Sequence, residues 1–182
     1  MAKTNYSFDK RQRELKKKKK REEKLQRKAE ARETKVLAGE IERVITTSRV
    51  VDASCAKVFR AFSEPSHLEN WWGPSGFKNT FSEFDFRPGG SWRLIMHGPN
   101  GVDYPNQSEF LEIAPAERIV FKHLSAPEFT MTISLQEEEG KTVVGWRMLF
   151  ETAASRDTVA TYALDANEQN LDRLEAELAT MP

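Results

Sequence analysis

His67-Leu68-Glu69-Asn70-Trp71-Trp72-Gly73-Pro74 closes one helical stretch, and Arg87-Pro88-Gly89-Gly90-Ser91-Trp92 opens a strand. Two adjacent tryptophans stopped by Gly-Pro are costly to leave in water. A Pro-Gly-Gly turn then feeds an aromatic strand towards them. Together the two blocks predict a curved sheet wrapped on helices around an apolar space.

Upstream, Ile41, Val44, Ile45 and Val50-Val51, with Thr46-Thr47, form a β-branched run that reads as a first strand. Asp52 suits a helix N-cap, because its carboxylate can accept from the free amides of a first turn. Val58, Phe59 and Phe62 share one helical face ending at Glu64-Pro65. A second short helix carries Leu68, Trp71 and Trp72, stopped by Gly73-Pro74. Downstream the chain reads as strand after strand. Phe84 and Phe86 alternate with acids, and Trp92, Leu94 and Met96 alternate with Ser91, Arg93 and His97. Residues 107–113 and 118–123 read as strands joined at Ala114-Pro115. Phe129, Met131, Ile133 and Leu135 give the clearest period of two, and Val144, Trp146, Met148 and Phe150 form its hairpin partner across Glu137–Lys141. A long helix over 156–179 follows, with Leu164, Leu171, Leu174 and Leu178 as the stripe that covers the sheet. The fold class is α+β.

The formal net charge of +0 conceals a division. Residues 1–35 hold 15 Lys/Arg against 6 Asp/Glu, and the remainder holds 13 against 22. The arm has too few apolar side chains to bury a face. Its Glu14–Lys18 and Glu23–Arg27 pairs permit a fraying helix. Residues 34–40 read as a hinge with Gly39 as the break, so the expected organisation is an arm over 1–38 and a domain over 39–182. Cys55 is the only cysteine, which leaves no internal disulfide and makes a reducing cytoplasm the simplest compartment. No apolar run approaches the roughly 20 residues of a membrane span.

The order strand, two short helices, about six to seven antiparallel strands and a long C-terminal helix resembles the helix-grip fold. The detail resembles the family related to the C-terminal domain of the activator of Hsp90 ATPase, in the START-like (SRPBCC) superfamily. The residues that carry the resemblance are Asp52-Ala53 through Val58-Phe59-Arg60-Ala61-Phe62, Pro65 to Pro74, and Arg87 to Trp92. Glu112 to Val120 and Gln169-Asn170-Leu171-Asp172-Arg173-Leu174 complete the set. Family members commonly carry Gly-Trp where this chain has Ala166-Asn167, which changes the expected cavity wall. The leader Asn5 to Leu15 is similar to short basic leaders of small bacterial proteins.

The resemblance implies a cavity between the concave sheet face and the C-terminal helix. Its expected lining is Trp71, Trp92, Met96, Phe129, Met131, Ile133, Trp146, Met148, Leu164, Asn167 and Leu171. The expected ligand is a lipid, polyketide-like or other hydrophobic molecule. The opposing reading is that these side chains pack as a filled core. No cofactor or metal is expected, since no HxH, HExxH or CxxC spacing occurs. A cyclase- or hydrolase-like enzyme is one alternative, with His97, His123, Asp103, Glu109 or Tyr104 as the acid–base group should one face the cavity. By alternation Arg93 and Arg147 face away from it. His67 reads as a surface residue, and Cys55 as a packed residue at a helix start. A chaperone-associated interaction module is the other alternative. The run Lys16, Lys17, Lys18, Lys19, Lys20 and Arg21 reads either as a salt-dependent contact to RNA or the ribosome or as a solvated tail.

Overall fold

The computed structural model describes residues 16, 17, 20, 21, 23–28 and 38–182. The chain divides into two compact units, 1–42 and 43–182. In the first, Lys16, Lys17, Lys20, Arg21 and residues 23–28 are helical and exposed. Lys18, Lys19, the pair Glu14–Lys18, the leader at 5–15 and residues 34–37 of the expected hinge lie outside the described residues. Gly39 does not break the chain: it sits inside a helical turn closed by the Glu42 amide on the Ala38 carbonyl at 3.3 Å.

The second unit runs β1 (Val44–Val51), α1 (Cys55–Ser63), α2 (Pro65–Trp71), β2 (Lys78–Phe84), β3 (Ser91–His97) and β4 (Asp103–Ala114). It continues with β5 (Arg118–His123), β6 (Phe129–Glu138), β7 (Lys141–Phe150) and α3 (Ala153–Thr180). All seven strands form one antiparallel sheet in the order β1-β7-β6-β5-β4-β3-β2. The first strand therefore pairs with the last, and α1 and α2 carry the chain from one sheet edge to the other. Register shifts at Phe81/Glu83 and Phe110/Glu112 insert extra residues into the ladder. Such bulges bend and twist a sheet, here into a grip around α3. Among the described residues no helix is long and apolar enough to cross a membrane.

Several boundaries move for local reasons. The N-cap of α1 is Ser54 rather than Asp52, its Oγ accepting from the Lys57 amide at 3.3 Å. Val51 is still paired with Thr142, and the Ala53 amide turns back to the Val51 carbonyl, so the helix cannot begin before Cys55. At the other end Thr152 caps α3, its Oγ1 accepting from Ser155 N at 3.1 Å, and starts the helix three residues earlier than the leucine stripe implies. Ile41 precedes β1 and is exposed, and Phe86 lies just beyond β2.

The Arg87–Trp92 block is stitched to β4. Gly89 N donates to Phe110 O at 2.7 Å, and Phe110 N donates to Gly90 O at 3.0 Å. A Cβ at Gly90 would overlap the Asp85 backbone carbonyl, so only glycine fits this close approach.

Candidate functional site

Trp71 and Trp72 part company at the end of α2. Trp71 is the last helical residue; it is fully buried and stands edge-on to Phe62 with ring centroids 4.8 Å apart. Its Nε1 donates to the Ala61 carbonyl at 3.0 Å. That carbonyl would ordinarily receive the amide four residues on, but residue 65 is proline and has none, so the indole takes its place. Trp72 adopts φ −62° and ψ 126° as the C-cap, which swings its ring to the sheet. There it meets Trp92 at 5.0 Å and Trp146 at 5.7 Å between centroids. Gly73 follows at φ +99°, the left-handed conformation that ends helices.

One helix fastens this turn. Arg173 of α3 donates from Nη1 to the carbonyls of Gly73 at 2.8 Å and Pro74 at 2.9 Å, and from Nη2 to Asn70 O at 2.6 Å. The cation thus meets carbonyls left free at the C-terminal end of α2. Burial pulls the Arg173 pKa down from its ordinary high value. Asn170 Oδ1 accepts from Gly73 N at 3.1 Å, and Gln169 Oε1 accepts from Ser75 N at 3.1 Å. His67, read from sequence as a surface residue, is half-buried and meets Glu177 at 2.7 Å through Nδ1. On the opposite flank Arg49 of β1 reaches Glu168 at 2.6 Å, Asp172 at 2.7 Å and Glu175 at 3.1 Å.

Between this fastened helix and the sheet lies a cavity of about 230 Å³. Its walls are Trp72, Gly73, Pro74, Trp92, Leu94, Met96, Phe121, Pro127, Phe129, Met131, Trp146 and Met148, with Val159, Tyr162, Ala163, Ala166, Asn167 and Asn170 from α3. Asn106, Ser108 and His123 add polar groups from β4 and β5. Of the expected lining, Trp92, Met96, Phe129, Met131, Trp146, Met148 and Asn167 stand on these walls. Trp71, Ile133, Leu164 and Leu171 do not. Ile133 borders a residual void of only about 10 Å³ among Phe62, Leu68, Phe86 and Phe110. Leu171 is fully buried in the core, and Leu164 is half exposed. The grip is therefore filled at one end and open at the other.

Residues the sequence reading passed over were signalled by alternation. Ser108 and Asn106 share the phase of Phe110 on β4; His123, already a candidate acid–base group, shares that of Ile119 and Phe121 on β5. Asn170 follows Asn167 by one helical step of three. Of the other proposed acid–base groups, Asp103, Tyr104 and Glu109 are exposed and off the cavity wall. Arg93 pairs with Glu83 at 3.3 Å, also away from the cavity. His97 bridges Thr80 Oγ1 at 2.9 Å and Asp103 Oδ1 at 2.6 Å. This chain connects the partners of a nucleophilic triad, but Thr80 and Asp103 are exposed and none of the three lines the cavity.

Three features set the cavity's electrostatics. Among the described residues no Lys, Arg, Asp or Glu lines it. His123 stacks on Phe129 with centroids 4.7 Å apart; its Nε2 faces Asn106 Oδ1 at 2.8 Å and its Nδ1 faces Pro127 O at 3.1 Å. Desolvation lowers its pKa, with the neighbouring Pro127 and Ser125 backbone and Glu128 opposing the shift only in part. The indole N–H groups of Trp92 and Trp146 are buried without a hydrogen-bond partner among the described residues. Each such orphan costs on the order of 1–3 kcal/mol.

The His123 shift has a signed consequence. The unfolded chain takes up this proton near pH 6.5, whereas the fold resists it. The neutral ring's contribution is complete above that pH and is lost as pH falls through the depressed folded value. Wild-type protein should lose more denaturant resistance between pH 7 and pH 5 than His123→Gln. Parallel losses in the two proteins would contradict the assignment.

The sequence profile described as Activator of Hsp90 ATPase homolog 1-like protein matches residues 52–179. Solved structures share the fold. A protein from Rhodobacter sphaeroides superposes with a TM-score of 0.72 at 24% identity, over 78% of this chain and 95% of that one. One from Nitrosomonas europaea gives 0.70 at 23% identity, over 77% and 96%. The AHSA1 protein from Silicibacter pomeroyi gives 0.63 at 19% identity, over 75% and 97%. No curated protein matches the chain. With the profile spanning both aromatic blocks, the sheet and α3, the chain belongs to the Activator of Hsp90 ATPase homolog 1-like family of the START-like superfamily.

Proposed function

We propose that this protein is a binding domain for a small hydrophobic molecule, held between the concave sheet face and α3. The observation that carries this reading is the cavity of about 230 Å³ beside an otherwise filled core. It exceeds the roughly 150 Å³ that accommodates benzene in an engineered protein. It falls short of the about 300–1,000 Å³ of drug-sized sites. One substituted ring or a short aliphatic chain matches that size better than a polyketide or a two-chain lipid. The three tryptophans on its wall offer stacking surfaces.

Binding is favoured over proton-transfer catalysis by the state of His123. Both ring nitrogens lie within hydrogen-bond distance of protein oxygens, so a guest would have to displace one of these contacts to reach either nitrogen. Native mass spectrometry of the full chain purified from its own source should reveal a population heavier by one small apolar molecule. Adding that molecule back should raise the thermal midpoint, as any ligand selective for the native state does. A single unliganded mass, together with no thermal shift across a panel of one- and two-ring compounds, would overturn the proposal.

A further inference from the structure

Resting on the reading of the cavity as a ligand site, we infer that its occupant is uncharged and ends in a group that both donates and accepts a hydrogen bond, of which a primary carboxamide is the simplest. The recognition element is the pair Asn167 and Asn170, three apart on α3 and therefore on one face, about 5–6 Å between Cβ atoms. Both line the cavity and both are more than nine-tenths buried.

Each amide is half committed. Asn167 Nδ2 donates to Thr47 Oγ1 at 3.1 Å and lies 3.7 Å from Met148 Sδ. A thioether only accepts, so this contact fixes which way the amide points and leaves Oδ1 without a donor among the described residues. Asn170 is the converse. Its Oδ1 is taken by the Gly73 amide, and its Nδ2 makes no hydrogen bond within the described residues. One acceptor and one donor, open to the cavity on two largely buried residues, thus share a wall that is otherwise largely apolar. A guest carboxamide answers both, its N–H to Asn167 and its carbonyl to Asn170.

Charge completes the argument. With no Lys, Arg, Asp or Glu on the lining among the described residues, and with His123 held towards its neutral form by desolvation, an ionised guest would enter without a counter-charge there. A hydrocarbon of the same shape would enter freely but leave both asparagine groups unanswered.

The test uses three probes of one shape: phenylacetamide, phenylacetate at pH 7.5 and isobutylbenzene, each titrated against the full chain by intrinsic tryptophan fluorescence. Phenylacetamide should bind at least tenfold more tightly than either of the others. Asn167→Leu should erase that preference while isobutylbenzene affinity stays within about threefold, which also shows that the cavity survives. Asn170→Asp, which keeps the acceptor for Gly73 N but removes the donor, should erase it too. Equal affinity for amide and hydrocarbon, tightest binding of phenylacetate, or an amide preference that persists in both variants would overturn the inference while leaving the cavity reading intact. Failure of all three probes to bind would overturn both.

Discussion

Replacing Trp71 by alanine should lower the free energy of unfolding by about 3–5 kcal/mol, the range for deleting a large buried aromatic. The side chain is fully buried, packs edge-on against Phe62 and Trp72, and supplies the donor that Pro65 cannot give to Ala61. Alanine therefore removes apolar area, opens a void between α1 and α2, and orphans a buried carbonyl. Urea denaturation measures the effect, and an unchanged slope would show that stability rather than compactness has moved. A loss below about 1 kcal/mol would mean that the cap at Ala61 and the packing around it have been misjudged. Trp72→Ala differs in kind, because its ring lines the cavity and its loss enlarges that space rather than opening a new void in the core.

The second large effect lies on α3. Leu171→Ala should cost about 2–5 kcal/mol, whereas Leu164→Ala should stay within about 0.5 kcal/mol. The two leucines are seven residues apart and occupy nearly the same angle on the helix, yet Leu171 is fully buried and Leu164 half exposed. Chemical denaturation of the pair decides the matter. Equal losses at the two positions would contradict the observed rotation of the helix.

That contrast shows where sequence reasoning reached and where it stopped. Period-two alternation located β3, β6 and β7, and the Trp-Gly-Pro and Pro-Gly-Gly blocks located the turns, because those signals are local. The leucine stripe was also real, but its reach depended on a neighbour. The C-terminal half of α3 runs beside α2 and the turn after it, as the bonds from Gln169, Asn170, Arg173 and Glu177 show. Leu164 lies beyond Gln169, where that neighbour has ended, and the buried stripe shifts to Val159, Ala163 and Asn167. Periodicity reports a helix face and cannot report what stands opposite it. Trp71 and Trp72 pose the same problem: adjacency in sequence gave no means of telling which ring seals the helix pair and which faces the cavity. His123 was visible as a titratable group, but its surroundings come from β4 and from the segment after β5, distant or irregular in sequence.

Along α3 the residues that line the cavity and those that fasten the helix are nearly separate sets. Val159, Ala163 and Ala166 touch the cavity, whereas Gln169 and Arg173 hold the turn after α2 and Glu177 meets His67 and Asn70 on α2 itself. Asn170 belongs to both, as does Asn167 through its bond to Thr47 of β1. A lineage or a designer could thus reshape the chamber by exchanging small side chains at the first three positions and leave the fastening untouched. Changing position 170 would alter the cavity wall and loosen the fastening in one step. The shape of the chamber and the seating of the helix are thus largely separable along α3.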